Sequence, residues 1–437
     1  MRATSLGQAG ILIETNGITI VCDPWFIPAF HGSWFVFPRN DQLDDELMAK
    51  IEDPDFLYIS HLHGDHFDEA WLPHHISRDT TVLLPGYPTR ELDNRLKNLG
   101  FFNLLRTVDG EETDIGSGIT VAIHVETSIT DGPGGDSTLV VYDGTTRLVN
   151  QNDCRTTDLL TLRQHGPVDL HWLQFSGAIW YPMVYEVEPP VMRQLIDAKI
   201  ESQLARAMRY VETLRPRAVV PSAGPPCFLD DDLFGFNIID GDEPSIFIDQ
   251  RVFNARLERG GFRGLLAIPG TAIDVTPGDI TLSHPLPDAE VEAIFTDKRT
   301  YLEGYKSDWQ PWLDELHAHW DATPETDLIP QLQEWWQPLL EMCPTVREAI
   351  GTNCLVRTGD TEILIDFPAG TVDAYRGEHY DFRFELPRPL VELAVAEHAV
   401  DWSNSLFLSC RFRAWRSGDY NEHVYNFFKS LSRTRMR

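Results

Sequence analysis

Lysine is scarce in this chain. Six of its 36 basic residues are Lys and the other 30 are Arg, set against 67 Asp and Glu, so the 437 residues carry a formal net charge of −31. Such a surface repels phosphate backbones and anionic bilayers, which argues against nucleic acid and membrane as partners. Long apolar runs are missing as well: no stretch approaches the ~20 residues needed to span a bilayer. The opening residues, Met1-Arg2-Ala3-Thr4-Ser5-Leu6-Gly7-Gln8, lack the apolar core of a signal peptide. Cysteine is sparse and scattered, at positions 22, 154, 227, 343, 354 and 410, with no C-x-x-C or C-x-H pair. That excludes a zinc knuckle and a disulfide framework and fits free thiols in a reducing, cytoplasmic setting. Internal repeats and low-complexity segments are absent too.

What is present suffices for large cores. Hydrophobic residues make up 42 % of the chain and aromatics 11 %, and the length suggests two or three domains. Ile11–Ile13 and Ile18–Val21 flank Asn16-Gly17, a strong hairpin signal, and the second strand delivers Asp23 to its end. An aromatic loop from Trp25 to Phe37 reads as a cover over the sheet or as a cleft wall. Apolar runs at 56–59, 81–85, 119–123, 137–142, 147–150, 169–174 and 218–221 read as strands. Helices are expected near 89–99, 156–164 and 190–213. Two sheets with helices outside fit this order better than one doubly wound sheet. A boundary is expected at His284-Pro285-Leu286-Pro287, giving domains 1–284 and 285–437. Beyond it come Trp-rich helices to about 345, a strand pair at 354–357 and 362–366, and a tail that turns helical.

The densest signal is Ser60-His61-Leu62-His63-Gly64-Asp65-His66-Phe67-Asp68, directly after the strand Phe56–Ile59. Residues at the carboxyl ends of such strands face the crevice where open α/β sheets place their chemistry. Imidazole and carboxylate together suit zinc, iron or manganese. His61 and His63, on alternate positions, can face one metal, with Asp65 and His66 expected on the first turn of the next helix. Asp153, ending a later strand, is the best further ligand. Two His and one carboxylate would leave open positions for oxygen chemistry, whereas more ligands and bound water would suit a hydrolase. His31, His74 and His75 read as surface or cap residues, and His171 as a hydrogen-bonded strand histidine. Gln174, Ser176, Trp180 and Tyr181 cluster after a strand and could line a sugar pocket; tight-turn and core roles are the competing reading. Arg411 and Arg413 would share a strand face by period two, and with Arg416 could clamp a pyrophosphate. Surface ion pairing is the alternative.

The hairpin ending in Asp23-Pro24, the His61-x-His63-x-Asp65-His66 loop and the later Asp153 resemble the metallo-β-lactamase superfamily over residues 1 to about 280. The resemblance implies an αββα sandwich, followed here by a smaller α+β C-terminal region. Hydrolases of that superfamily supply a further His between loop and Asp, where this chain reads Thr127 to Ser137 without one. They also place a His after a late strand, where this chain reads Val219 to Pro226, again without one. A single metal is therefore expected, with zinc or a dinuclear site as the alternative. A narrower similarity involves Asn152-Asp153-Cys154-Arg155, Gln174 to Pro182, Pro221 to Cys227 and Phe407 to Arg416. These segments resemble the N-acyl sugar-nucleotide hydroxylases, the group of CMP-N-acetylneuraminate hydroxylase and, closer, UDP-N-acetylmuramate hydroxylase.

That resemblance implies a mononuclear Fe(II) monooxygenase converting the N-acetyl group of a nucleotide sugar, such as the peptidoglycan precursor UDP-N-acetylmuramate, to N-glycolyl. His61, His63 and Asp153 would hold iron, and Asp65 and His66 would be further ligands or catalytic partners beside it. Electrons would come from NAD(P)H through a Rieske [2Fe-2S] centre. Its Cys-x-His and Cys-x-x-His pairs do not occur in these residues, so a Rieske domain beyond Arg437 is expected, with a separate electron-transfer protein or a loss of the redox function as the alternatives. A metal-dependent hydrolase of a phosphodiester, lactone or other ester is the runner-up, and a metal-binding scaffold of a redox complex the third reading. Homo-oligomer formation stays open.

Overall fold

A computed structural model describes residues 1–127, 134–238 and 244–433. Two sheets stack face to face. The first runs, in spatial order, Ile280–Ser283, Ala272–Val275, Arg2–Gly7, Gly10–Thr15, Ile18–Cys22, Phe56–Tyr58, Thr81–Leu84 and Leu104–Arg106. The second runs Ala218–Ser222, Leu170–Gln174, Arg147–Asn152, Asp136–Tyr142, Ile119–Glu126 and Glu112–Gly116. Asn16 and Gly17, at φ 49° and 78°, close the hairpin in which Thr15 pairs with Ile18. Both turn residues need positive φ, which Asn and Gly tolerate.

Period-two patterning explains the stacking. One face of the first sheet presents Ala3, Ile11, Ile13, Ile20, Tyr58 and Leu83 to Val121, Ile123, Leu139, Val141, Leu148 and Trp172 of the second. The opposite face, with Leu12, Val21, Leu57 and Val82, packs on Ile51, Leu72, Leu92 and Leu96 from outer helices. The second sheet's outer face, with Leu173 and Val219, is covered by Leu204, Met208 and Val211 of Pro189–Leu214 and by Phe253 and Leu257 of Gln250–Arg259. Helix, sheet, sheet and helix form the expected αββα sandwich.

The C-terminal region is built on a five-stranded sheet, ordered Thr371–Ala374, Thr361–Asp366, Asn353–Thr358, Phe382–Leu386 and Arg413–Arg416. Leu328–Met342, Arg388–Ala396 and Glu422–Lys429 pack with it, around Trp336, Trp402 and Phe428. This core is continuous with Trp25, Trp34, Trp180, Val184 and Tyr185 from the sandwich side. The helices Asp288–Thr296 and Lys298–Asp321 cluster instead with Phe35, Phe37, Cys227 and Ile268. All six cysteines are buried and none forms a disulfide. Among the described residues no helix is long and apolar enough to cross a membrane.

Candidate metal centre

Parallel pairing of Ile18–Cys22 with Phe56–Tyr58 puts Asp23 and the Ser60–His66 loop side by side at one edge of the sandwich. In the second sheet, Arg147–Asn152 ends there at Asp153. Its antiparallel neighbour Asp136–Tyr142 begins there, at Asp136. Four chain segments therefore deliver polar side chains to one point, although each is flanked by apolar strand.

Asp65 and His66 depart from expectation. No helix follows the loop directly; the His66 and Phe67 N–H groups donate to the His63 carbonyl at 3.0 and 2.8 Å, closing a single turn, and the next helix is the short Leu72–His75. Asp68 explains the stop. Its Oδ2 accepts from the Phe26 and Ile27 N–H groups at 2.9 and 2.8 Å, and its Oδ1 from the Trp71 N–H at 3.0 Å, tying the loop to the aromatic segment.

Ser60 organises the centre. Its N–H and Oγ–H donate to Asp23 at 2.7 and 2.6 Å. His66 Nδ1 stands 3.0 Å from Asp23 Oδ2, and His61 Nε2 2.7 Å from His63 Nδ1. His66 Nε2 lies 3.5 Å from Asp153 Oδ1 and 3.7 Å from Asp65 Oδ2. His61 Nδ1 lies 3.3 Å from Asp136 Oδ1 and 3.8 Å from Asp153 Oδ1. Gln8 Nε2 donates to Asp65 Oδ2 at 3.1 Å. Burial disfavours charge on His61, yet Asp136 and Asp153 outweigh it and raise its pKa to about 9. His66 is raised well above the ordinary range by Asp153 and Asp65 against the same burial. His63 is pushed well below it by burial and by His61. Burial raises the carboxyls of Asp65 and Asp136, while the histidines overcome burial at Asp153 and hold it low.

This donor set fits a metal ion. His63 Nε2, His66 Nε2 and Asp153 Oδ1 are buried without a hydrogen-bond partner, an expensive state unless a cation completes it. One donor atom from each of His61, His63 and Asp153 lies within 4.8 Å of the others. Of the two places where the superfamily pattern sets a His, the first falls largely on residues 128–133, outside the described residues. Asp136, just after them, brings a carboxylate to the centre. The second, at Ser222 to Pro226, is described and brings no imidazole.

The centre opens into a cavity of about 440 Å³ whose walls include Trp34, Trp180, Tyr181, Tyr420 and Tyr425. Of the expected pocket residues, Trp180, Tyr181 and Arg416 line it, and Gln174, Ser176, Arg411 and Arg413 do not. Gln174 is buried and accepts from Arg206 Nη2 at 3.4 Å; Ser176 is fully buried. The three arginines are not brought together. The strand starts only at Arg413, and Arg411 turns inward to pair with Asp230 at 2.7 Å and to donate to the carbonyls of His31 and Gly32 at 3.3 and 3.2 Å. A guanidinium drawn into the interior needs such a partner. Arg413 is exposed beside a different cavity. His171 is buried in its strand, 2.9 Å from Gln151 Oε1; His75 stacks on Trp71 and meets Glu52 at 2.8 Å. The aromatic loop fills both expected roles: Trp34 faces the cavity while Phe35 and Phe37 sit in the core. Asp136, Arg155, Lys199 and Lys429 also line the cavity and were not singled out from sequence. The Gly134-Gly135 pair before Asp136 and the rarity of lysine were the available signals.

Two family models agree with this architecture. Residues 2–171 match a β-lactamase superfamily domain, and residues 328–437 match an Rv3818-like, SCP2-like domain. Two relatives carry the name of Rieske 2Fe-2S iron-sulfur proteins. One, from Mycobacterium tuberculosis H37Rv, is 40 % identical over 444 residues, and one from Mycolicibacterium smegmatis is 40 % identical over 448. Each match covers 100 % of this chain and 86 % of the relative. Among solved structures, the metallo hydrolase Igni18 of Ignicoccus hospitalis aligns at TM-score 0.43 and 16 % identity, over 65 % of this chain and 98 % of its own. The diiron β-hydroxylase CmlA of Streptomyces venezuelae aligns at TM-score 0.41 and 16 % identity, over 63 % and 54 %. The chain belongs to the family of these Rieske-named mycobacterial proteins, with a metallo-β-lactamase superfamily domain in its N-terminal part and an SCP2-like domain at its C-terminal end.

Proposed function

We propose that this chain is the substrate-oxidising part of an O2-dependent non-haem iron monooxygenase. In this reading it hydroxylates the N-acetyl group of a nucleotide sugar, UDP-N-acetylmuramate first among the candidates, to N-glycolyl. The carrying observation is the convergence of His61, His63, His66, Asp65, Asp136 and Asp153, of which His63 and the three carboxylates line a cavity walled by aromatic and cationic side chains. His61, His63 and Asp153 would hold the iron, with Asp65, His66 and Asp136 as further ligands or as the groups that orient them. When bound, iron supplies the O2 activation that no protein side chain provides. The chain's own residues do the rest. Asp23 and Ser60 fix the imidazoles. Asp65, its carboxyl raised by burial and held by a hydrogen bond from Gln8, stands beside His66. Trp180 and Tyr181 exclude water and present flat faces to a sugar. The names of the relatives support a Rieske [2Fe-2S] centre as electron source.

The test is reconstitution with Fe(II), UDP-N-acetylmuramate, O2 and an NAD(P)H-driven Rieske electron-transfer chain. A product heavier by one oxygen atom, lost in His61→Ala, is expected. Absence of that product, with stoichiometric zinc and no binding of a UDP sugar, overturns the reading. The number of donors favours one second reading, a hydrolase in which metal-activated water attacks an ester. It requires turnover of a chromogenic ester without O2 or reductant.

A further inference from the structure

The cavity beside the metal centre is lined by Arg155, Lys199, Arg416 and Lys429. This is unexpected in a chain with 67 acidic and 36 basic residues. Among the described residues, the only carboxylates on its lining are Asp65, Asp136 and Asp153, which belong to the metal centre. Two of the four cations have evident local roles or company. The Arg416 guanidinium lies over the rings of Tyr181, Tyr185 and Tyr420 at 5.6, 5.4 and 5.7 Å and is part of the aromatic wall. Lys429 makes contacts of its own within the fold.

Arg155 and Lys199 differ. Arg155 sits two residues after Asp153, on the loop that leaves the second sheet. Lys199 projects from the long helix Pro189–Leu214, and Arg206, seven residues further on, shares its helical face. Among the described residues, none of Arg155, Lys199 and Arg206 has an ion pair with a carboxylate. All three are partly shielded from solvent. Burial first, then Arg155 and Arg206, lower Lys199 to about 8, and burial followed by Arg155 lowers Arg206 to about 10. Shielded cations are normally paired or coordinated; Arg206 donates to Gln174 Oε1 at 3.4 Å, and an anion entering the cavity would pair Arg155 and Lys199, which line it.

We propose that Arg155 and Lys199, backed by Arg206, form the anion-binding subsite of this cavity and hold a phosphate or diphosphate group of the substrate. Phosphate is the better match than a single carboxylate, because it brings up to two negative charges and three acceptor oxygens to a pair of cations that line the cavity together. Arg155 offers the planar fork for two phosphate oxygens and Lys199 a point charge. The pyrophosphate clamp is thereby assigned to the sandwich side of the cavity, not to the C-terminal arginine strand. The assignment rests on reading this cavity as the substrate site, but not on which reaction occurs there.

The test uses the full chain treated with chelator, so that the probe cannot bind through a metal, and titrates UDP and inorganic phosphate calorimetrically. Arg155→Gln and Lys199→Gln should each weaken UDP binding roughly tenfold to a hundredfold, the loss expected for one charge-assisted contact. Lys199→Arg should recover most of it, and Arg413→Gln should bind as the parent does. Near-UV circular dichroism reports whether each variant keeps its packing. A second readout needs no variant: with six lysines in the chain, amine-reactive labelling read by mass spectrometry resolves Lys199, which UDP should protect. Parent-like UDP binding in both Gln variants, a loss in Arg413→Gln instead, or labelling of Lys199 indifferent to UDP each overturns the assignment. UDP binding that depends on Arg155 and Lys199 without any hydroxylation leaves the subsite standing and removes the monooxygenase reading alone.

Discussion

His66 Nδ1 stands 3.0 Å from Asp23 Oδ2, and this contact decides which nitrogen of His66 faces the metal centre. Asp23 is fully buried and also takes both donors of Ser60, so one carboxylate orients the loop and the ring together. Partners of this kind tune affinity without touching the ion. Asp23→Asn should therefore weaken metal binding by about 10- to 100-fold while far-UV circular dichroism stays native. Competition against a fluorescent chelator measures it, and unchanged affinity would sink the orienting role.

Gly135 holds Asp136 in place by backbone geometry. Its φ is +107°, and a Cβ there would stand 2.3 Å from the Glu126 carbonyl oxygen. Gly135→Ala should cost on the order of 1–3 kcal/mol of stability and weaken metal binding by displacing Asp136. Gly278→Ala, where a Cβ meets nothing within 4 Å, should stay within about 0.5 kcal/mol of the parent. Urea midpoints for the two variants decide the matter, and equal midpoints would contradict it.

His171 should make the fold acid-labile. Desolvation lowers its pKa to about 3; Nε2–H donates to Gln151 Oε1 at 2.9 Å and Nδ1 has no partner. The unfolded chain takes up this proton near 6.5, so below that value the unfolded state binds more protons than the folded one. The contribution of the neutral ring to stability is full above about 6.5 and is lost as pH falls from there through about 3. Histidine NMR should find the His171 ring neutral at pH 5, with the urea midpoint declining below pH 6.5. A ring titrating near 6.5 would be the contrary result.

The C-terminal core depends on Trp336. It is fully buried, with ring centroids 5.0 Å from Trp402, 6.0 Å from Phe427 and 5.9 Å from Phe428. Trp336→Ala should cost about 3–5 kcal/mol. Because this core continues to Trp180 and Tyr185, the loss should also loosen the wall of the metal cavity. Hydrogen exchange across residues 178–185 would register that, and protection unchanged there would separate the two regions.

Features set by neighbours in the chain were legible beforehand. Asn16-Gly17 specifies its hairpin because few residue pairs adopt two successive positive φ values. The strand before Ser60 is specified by a short apolar run, and the loop after it by a concentration of imidazole and carboxylate that packing does not need. The helix expected at Asp65 was not legible, because the competitor for those backbone groups was Asp68, whose carboxylate caps Phe26 and Ile27 more than 40 residues away in sequence. Arg411 was misplaced for a similar reason. Period two is a rule for residues already in a strand, and the burial of Asp230 drew its guanidinium inward before the strand began.

Asp136, Arg155 and Lys199 mark the boundary most clearly. Each is an ordinary polar residue in a local window, one at a strand start, one in a loop and one on a helix. Sheet register places Asp136 beside Asp153, and the packing of Pro189–Leu214 over the second sheet carries Lys199 to the same cavity. Local sequence encodes which groups can bind a metal or an anion, since that is a property of the side chain. Which of them share a site follows from long-range strand pairing and apolar stacking, since distances between remote segments exist only once the chain has folded.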